Sequence, residues 1–480
     1  RNSMPRLPAG LVAASPFFDL AAPENARGAS GLTIPLKERQ SEARGLGLYT
    51  YAENKWQRLS DVTLMNDGAA ARGEVGSLPG NVVVLKKSRS TLQVAGSVPA
   101  GATVDERGAS ALTVVHPLVF LPTADGSIIG ERPAVPPASY RVVPAVIAPV
   151  PEAVDTILRS SDLRSAHVAA IAGTVKEGNF HGILIDYRNV NPSLKEQFTE
   201  FTEALAAALH ADAKVLTLTL PLPQQSAGEI DTGAYDWERL GAAADTIEIA
   251  TELDQELYFQ TAEAALEYVT GKVDRSKLLL SISSMSVERG GDGLRTMPLA
   301  EALGLASAVG VKTAGPVTAG AAVPLVAQNL AADEGGSGMA WDDVARAVTF
   351  SYPGRGGKRT VWIANQFSAA FRVELAQRFG LGGVAINDVS AVSAADVWSP
   401  IRELADTGTL SLVRPNGELL LPSWSATQGA LTPQTGAAVT WTAPSVSGTY
   451  EITIVVSDGA VRAQQTVAID VAEAVAPEGQ

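Results

Sequence analysis

Hydrophobic and polar positions divide the chain into three stretches of different periodicity. Within residues 1–87, short alternating segments such as 45–51 and 81–85 are separated by turn sequences such as Asn66-Asp67-Gly68. A period of two is typical of half-buried strands, and turns rich in Asn, Asp and Gly join antiparallel neighbours. The pattern predicts an N-terminal β-rich domain of sandwich type over residues 1–87.

Between residues 88 and 408, apolar runs alternate with longer amphipathic stretches. Strands are predicted at 91–96, 112–120, 140–148, 178–190, 214–221, 246–252, 278–283 and 380–387. Helices are predicted at 151–177, 194–210 and 368–379, the second from apolar residues spaced three and four apart. Strands that alternate with helices indicate an α/β array with a parallel sheet. A Gly- and Ala-rich segment near 285–358 is predicted to be an insertion in this array.

Beyond residue 408 the pattern returns to strands. The runs 448–459 and 466–471 alternate, and Trp424 and Trp441 are suited to a small buried core. We expect an Ig-like β-sandwich over residues 409–480, ending in a frayed tail or in the start of a linker. Because the sequence has no cysteine, this domain must be stabilised by its hydrophobic core alone.

Composition excludes several classes of protein. The chain has 480 residues, 46% hydrophobic and 18% charged, which is globular. Its net charge of −14 and its lack of a basic cluster argue against nucleic-acid binding. The absence of cysteine excludes a thiolate metal site and fits a surface-exposed bacterial protein. No apolar run reaches the length of a membrane span, and the histidines lack metal-ligand spacing, so we expect no transmembrane segment, metal or cofactor.

The predicted fourth strand contains two charged residues, Asp186 and Arg188. Side chains alternate along a strand, so Leu184, Asp186 and Arg188 should share one face, opposite Ile183, Ile185 and Tyr187. Charges on the interior face of a buried strand are costly unless they are paired. This stretch is therefore the first candidate for a functional site.

The same stretch resembles a known motif. Phe180-His181-Gly182-Ile183-Leu184-Ile185-Asp186-Tyr187-Arg188 is similar to the DGxDxDxE pattern in strand four of glycoside hydrolase family 18, which includes chitinases and spore peptidoglycan hydrolases. It matches at Phe180, Gly182, Asp186 and Tyr187, and departs at His181, Leu184 and Arg188. The resemblance implies a (β/α)8 TIM-like barrel over residues 88–408, flanked by the two β-rich domains.

The resemblance also implies that the family's chemistry is lost. The last Glu of the motif is the family's acid, and Arg188 at this position cannot release a proton. The family's Met-x-Tyr-Asp after strand six is replaced by Ala250-Thr251-Glu252-Leu253. The Trp that floors the sugar subsite is replaced by Asn387, which offers no aromatic face. These substitutions predict a pseudo-glycosidase with no catalytic residue.

The residues expected at this vestigial cleft, which could still bind a ligand, are His181, Asp186, Tyr187, Arg188, Glu248, Glu252 and Asn387. In one interpretation they form a structural ion cluster, in which Arg188 fills the barrel centre and pairs with Asp186 and with Glu248 or Glu252. In the other they hold a small ligand or a rebuilt active site. The sequence leaves open which Glu is the partner of Arg188.

These observations lead to two hypotheses of function. The first is a non-catalytic bacterial protein, extracellular or on the cell surface, that acts as a scaffold or binds glycan. Its partners would be envelope polysaccharide or other surface-protein subunits. The alternative is a glycan hydrolase acting on peptidoglycan or a chitin-like substrate through relocated carboxylates, because two carboxylates are enough for a glycosidase.

Overall fold

A computed structural model describes residues 4–5, 7, 11–21, 28, 30–41, 43, 45–52, 55–87, 92–133, 139–226, 228–250, 252–390 and 396–473. The chain divides into two compact units, residues 1–92 and residues 93–480. Within the described residues, no helix is both long enough and apolar enough to cross a membrane.

The first unit is built on an antiparallel sheet of seven strands. Its strands are Leu11–Ala13, Phe18–Asp19, Ser30–Pro35, Leu46–Ala52, Lys55–Met65, Ala70–Val75 and Asn81–Lys87. Asn81–Lys87 pairs with Leu46–Ala52, which pairs in turn with the long strand Lys55–Met65. Residues at alternate positions form the apolar core, including Leu46, Leu48, Val82 and Val84. The strand Asn81–Lys87 is covered on both faces, since Val82, Val83, Val84 and Leu85 are all fully buried.

The second unit contains the closed barrel that the resemblance implies. Its parallel strands, numbered 1 to 8, are Gln93–Pro99, Val114–Pro122, Ala145–Ile147, Gly182–Asp186, Val215–Leu220, Thr246–Ile249, Leu278–Ser283 and Gly383–Asn387. Each pairs with the next, and strand 8 pairs with strand 1 to complete the circle. The predicted fold class, a (β/α)8 barrel with additional antiparallel sheets, is confirmed.

Helices cover the outside of the barrel. The α-helices of the described residues are Glu106–Ala109, Glu152–Arg159, Ser161–Glu177, Lys195–Ala211, Trp237–Ala243, Tyr258–Thr270, Leu299–Ala306, Gln366–Arg378 and Trp398–Thr407. The helix expected over 151–177 is two helices, because Ser160 is extended and its side chain caps the second one. Short 3₁₀ turns lie at Pro192–Leu194, Arg275–Lys277, Ala332–Glu334 and Gly417–Leu420.

Apolar side chains fill much of the barrel interior. They include Ala95, Val114, Ala145, Leu184, Leu279 and Ala385, contributed by six of the strands. The carboxyl ends of parallel strands meet at one face of such a barrel, which is where barrel enzymes place their active sites. We call this face the mouth.

The segment between strands 7 and 8 forms a separate five-stranded sheet. Its strands are Ser286–Gly290, Gly293–Met297, Ala340–Asp342, Ala347–Gly354 and Gly357–Ile363. The insertion predicted near 285–358 therefore includes an antiparallel sheet that extends to Ile363. Smaller strands occur at Ile128–Gly130, Arg141–Val142, Gln224–Ser226 and Glu229–Asp231.

The C-terminal strands share their sheets with strands of the insertion. One sheet joins Ala438–Thr442 and Ala430–Thr432 to Ala322–Ala327 and Val309–Val311. The other joins Ser423–Ala426, Gly448–Ser457 and Arg462–Ala472 to Val317–Thr318. Two sheets are thus present, but residues 309–327 contribute to both. The Ig-like assignment of residues 409–480 stays a prediction.

Candidate functional site

Asp186 and Arg188 form an ion pair at the carboxyl end of barrel strand 4. Asp186 is the last residue of the strand, and Arg188 follows it in a turn. Nε of Arg188 donates to Oδ1 of Asp186 at 2.6 Å, and Nη2 donates to Oδ2 at 2.7 Å. A bidentate contact of this kind is stronger and more directional than a single hydrogen bond. The expected ion pair is confirmed, and the partner of Arg188 is Asp186.

Arg188 lies at the mouth and not in the barrel centre. Its side chain is 49% exposed, whereas that of Asp186 is 12% exposed. The strand ends at Asp186, so the alternation that would point Arg188 inward does not continue. The interpretation in which Arg188 fills the barrel is wrong, since Leu184 is the residue of strand 4 that packs in the interior.

The turn that carries Arg188 is held in place by Tyr235. The hydroxyl of Tyr235 donates to the carbonyl oxygen of Tyr187 at 2.8 Å and accepts from the N–H of Val190 at 3.4 Å. Burial raises the pKa of Tyr235 to about 12, so the hydroxyl keeps its proton at neutral pH. No local sequence pattern connects Tyr235 to a turn 48 positions earlier, so this positioning residue could not be predicted from the sequence.

Asp186 holds its proton more tightly than an ordinary aspartate. Burial is the main cause of its raised pKa, and the negative charge of Glu248 acts in the same direction. The guanidinium of Arg188 opposes both effects but does not outweigh them. A carboxyl group with a raised pKa in a cleft is a recognised sign of a functional site, although structural pairs produce the same shift.

A cavity of about 550 Å³ opens at the mouth beside this ion pair. Its polar lining residues are Asp186, Arg188, Asn189, Gln224 and Glu252. Its apolar lining residues are Leu118, Ile147, Ala148, Pro149, Pro221, Leu222, Ala250 and Leu253. Its volume lies within the range of small-ligand sites. Among the described residues that line it, none is aromatic, so it lacks a platform on which a sugar ring could stack.

Glu252 lies in the loop after strand 6 and brings a second carboxylate to the cavity. Its Oε1 accepts a hydrogen bond from the N–H of Asp254 at 2.8 Å. Arg289 of the inserted sheet anchors this loop, since it pairs with Asp254 and, at 2.6 Å, with Glu256. The structure therefore brings Glu252 into the same cavity as Asp186 and Arg188, as the sequence predicted.

Glu248, on barrel strand 6, contacts His116 instead of Arg188. Oε1 of Glu248 is 3.0 Å from Nε2 of His116, and both residues are buried. His116 is on strand 2 and Glu248 on strand 6, so the contact crosses the barrel interior. The same Oε1 receives no hydrogen bond of good geometry from the described residues.

Two of the expected cleft residues lie elsewhere. His181 precedes strand 4 at the end opposite the mouth, where its Nδ1 accepts from the N–H of Val142 at 3.2 Å. Tyr187 is buried on the outer side, with its hydroxyl 2.7 Å from Nε2 of His167. Because Nδ1 of His167 faces the carbonyl oxygen of Gly126 at 2.9 Å, Nε2 is the acceptor in this pair. Neither residue lines the mouth cavity, so the structure places both apart from the ion pair of Asp186 and Arg188.

Asn387 is the last residue of strand 8, at the mouth end, but it does not line the cavity. Its carbonyl oxygen accepts from the hydroxyl of Ser284 at 2.8 Å. Of the seven predicted residues, the cavity thus brings together Asp186, Arg188 and Glu252. Within the part of the chain that the structure describes, no group of three or more His, Asp or Glu side chains could hold a metal ion.

A family model and a protein of Bacillus subtilis both match part of this chain. Residues 153–391 match the family model described as glycosyl hydrolases family 18. An uncharacterized glycosylase of Bacillus subtilis, YvbX, is 20% identical over 240 residues, which cover 48% of this chain. The chain spans 62% of the length of that relative, so activity cannot be carried over from it as a whole.

Solved structures share the same architecture. The chitinase of Chromobacterium violaceum superposes with a TM-score of 0.51 at 18% identity, covering 66% of this chain and 99% of that protein. The spore cortex-lytic enzyme SleL of Bacillus megaterium has a TM-score of 0.50, also at 18% identity, covering 68% of this chain and 77% of SleL. At this level of identity the likeness establishes the fold and leaves the chemistry to the residues themselves.

Proposed function

Because this chain carries a glycosyl hydrolase family 18-like barrel, the fold of a glycan-related enzyme family, we propose that it binds glycan without hydrolysing it. The proposed partners are envelope polysaccharides, and other surface-protein subunits if the flanking sheets serve assembly. The proposed location is the bacterial cell surface or the extracellular space. Zero cysteines and the β-rich regions on both sides of the barrel support this location.

The observation that carries the proposal is the ion pair of Arg188 with Asp186. Arg188 occupies the position of the family's acid, and a guanidinium gives up no proton at any accessible pH. The same guanidinium holds both oxygens of Asp186, the remaining carboxylate of the motif. Neither residue is then available to protonate a glycosidic oxygen by the family's route. Gln224, Asn189 and the charged pair remain as hydrogen-bonding groups for sugar hydroxyls.

A second candidate is a hydrolase that uses relocated carboxylates. Asp186 and Glu252 line one cavity, and the raised pKa of Asp186 suits a general acid. A glycosidase needs only a carboxyl acid and a second carboxylate on the other side of the scissile bond. The bidentate contact with Arg188 weighs against this candidate, because it occupies both oxygens of the acid.

One set of measurements separates the two functions. Binding and turnover are measured on peptidoglycan fragments and chitin oligosaccharides, with the whole chain and with an Asp186→Ala, Glu252→Ala variant. A Glu203→Ala, Glu263→Ala variant serves as the matched control, since both of these carboxylates pair with arginines on outer helices. Thermal melting of each variant checks that it is folded.

We expect the whole chain to bind at least one of these glycans and to release no product. The double variant at the mouth should lose about tenfold or more in affinity, as removal of hydrogen-bonding charges does, and the control should not. If the whole chain releases product and the Asp186→Ala, Glu252→Ala variant does not, the non-catalytic function is overturned in favour of the hydrolase. Absence of binding to every glycan would overturn the glycan role.

A further inference from the structure

The cavity at the mouth has an excess of negative charge. Asp186 and Glu252 line it, and Arg188 is its single cationic side chain among the described residues. Both oxygens of Asp186 are held by Arg188, so this guanidinium cannot neutralise a second carboxylate with the same geometry. The three side chains together carry one uncompensated negative charge when both carboxyl groups are ionised.

The uncompensated charge belongs to Glu252. Its carboxylate accepts one hydrogen bond from a backbone N–H, and no Lys, Arg or His of the described chain lies within ion-pair distance of it. Arg289 of the inserted sheet, which anchors the same loop, is engaged by Asp254 and Glu256. Among the described residues, Glu252 therefore has no ion-pair partner, and its carboxylate can accept hydrogen bonds from a ligand in the cavity.

The carboxylate of Glu248 adds to the negative charge around Asp186. Thr219 of strand 5 lies in register with Glu248 of strand 6, and the pairing of strands 4 and 5 places Asp186 level with Thr219. Inward side chains on alternate strands of a barrel share one layer, so Asp186 and Glu248 lie in the same layer. Oε1 of Glu248 is buried and receives no well-directed hydrogen bond.

A neutral sugar gains little from such a cavity. Sugar rings are commonly bound by stacking on aromatic side chains, and the described lining contains none. Discrimination must then come from hydrogen bonds and charge. A primary ammonium group is a compact cation with three donors, which complements a carboxylate that has free acceptor capacity.

We infer that the mouth cavity prefers glycans that carry a free ammonium group, that is, amino sugars without an N-acetyl group. This inference rests on the proposed glycan-binding function and specifies its ligand class. The ammonium group lies against Glu252, and the neighbouring hydroxyls hydrogen-bond to Gln224 and Asn189. The excess negative charge of the whole chain, −14, adds a weaker attraction at long range.

The test is isothermal titration calorimetry of the whole chain with two matched ligands, a glucosamine tetramer and an N-acetylglucosamine tetramer. We expect the charged tetramer to bind about tenfold more tightly, the effect of one charge-assisted contact. The preference should weaken with added salt and disappear when the pH exceeds the pKa of the sugar ammonium group. A third arm with de-N-acetylated peptidoglycan fragments identifies which source of the amino sugar binds better.

Two variants assign the preference to this site. Glu252→Gln should remove most of the tenfold difference, and Glu263→Gln on an outer helix should retain it. Leu253→Arg adds a cation at an exposed lining position without deleting a polar contact, so it should abolish the preference in a folded protein. If the N-acetylated tetramer binds equally well or better, the inference is overturned and the glycan-binding function stands. If neither tetramer nor any fragment binds, both are overturned.

Discussion

At the scale of single residues, the side chains of Arg188 and Asp186 differ in solvent exposure and therefore in solvation. The guanidinium is half exposed and stays well solvated, whereas the carboxyl group is mostly buried and loses solvation. The pair therefore compensates a cost that falls chiefly on Asp186. This explains why the pKa of Asp186 remains raised even with a cation in bidentate contact.

Arg188→Gln should raise the pKa of Asp186 further, because the opposing positive charge is removed. A carboxyl group with a raised pKa contributes stability that is full below the ordinary aspartate value and is lost as pH rises through the folded-state pKa. The variant should therefore be less stable than the parent by about 1 kcal/mol near neutral pH. The difference should shrink toward zero in acid.

Urea denaturation across a pH series measures this difference. Arg378→Gln is the control, since Arg378 pairs with Glu263 on the outside of the barrel, and its effect should be smaller at neutral pH. An equal loss of stability at every pH would contradict the account, because it would mean that Arg188 acts through packing and not through the charge of Asp186.

At the scale of elements, the helix Gln366–Arg378 is fixed at its start by one side chain with two roles. Oδ1 of Asn365 accepts from the N–H groups of Phe367 and Ser368, which caps the helix. Its Nδ2 donates to Oδ2 of Asp458 at 3.1 Å. Asp458 follows the strand Gly448–Ser457, so this contact joins the helix before strand 8 to a C-terminal sheet. Asn365, Ser368 and Asp458 are all buried.

Asn365→Ala should lower the free energy of unfolding by about 2 kcal/mol, since it removes a helix cap and leaves Oδ2 of Asp458 without its donor. Asn416→Ala is the matched control: Asn416 caps the exposed turn Gly417–Leu420, and its removal should cost about 0.5 kcal/mol. Chemical denaturation of both variants gives the comparison. Equal losses at the two positions would mean that the contact with Asp458 contributes nothing.

At the scale of the whole molecule, the N-terminal β-rich region is a separate unit, whereas the C-terminal strands share their sheets with the insertion. Residues 1–92 form a unit of their own. The strands after residue 409 share both of their sheets with residues 309–327 of the insertion. Loss of the C-terminal strands would expose the backbone of Ala322–Ala327 and Val317–Thr318 as open edges.

Two truncations should therefore behave in opposite ways. A chain that begins at residue 88 should keep the melting temperature of the barrel, because it retains every barrel strand and both shared sheets. A chain that ends at residue 408 should melt lower or aggregate, because open apolar edges favour self-association. Calorimetry and analytical ultracentrifugation of the two chains test this. A soluble, stable chain ending at residue 408 would mean that the shared sheets are not needed by the barrel.

The sequence predicts those features of the fold that depend on consecutive residues. It does not predict those that depend on caps, turns or distant contacts. Strands 7 and 8 and the helix Lys195–Ala211 follow from local apolar patterns, because burial of one face is a property of consecutive residues. The helix break at Ser160 and the end of strand 4 at Asp186 are decided by caps and turns, which periodicity does not reveal. Arg188 was for this reason assigned to the interior.

The sequence by itself determined the barrel class and the absence of a proton donor at position 188, since residue identity and local periodicity fix both. Only the tertiary structure decided which charges meet. It paired Arg188 with Asp186, brought His116 to Glu248 across the barrel, and left Glu252 in the mouth cavity with no ion-pair partner among the described residues. These contacts depend on barrel closure and on the register between distant strands, and both are set by packing of the whole fold.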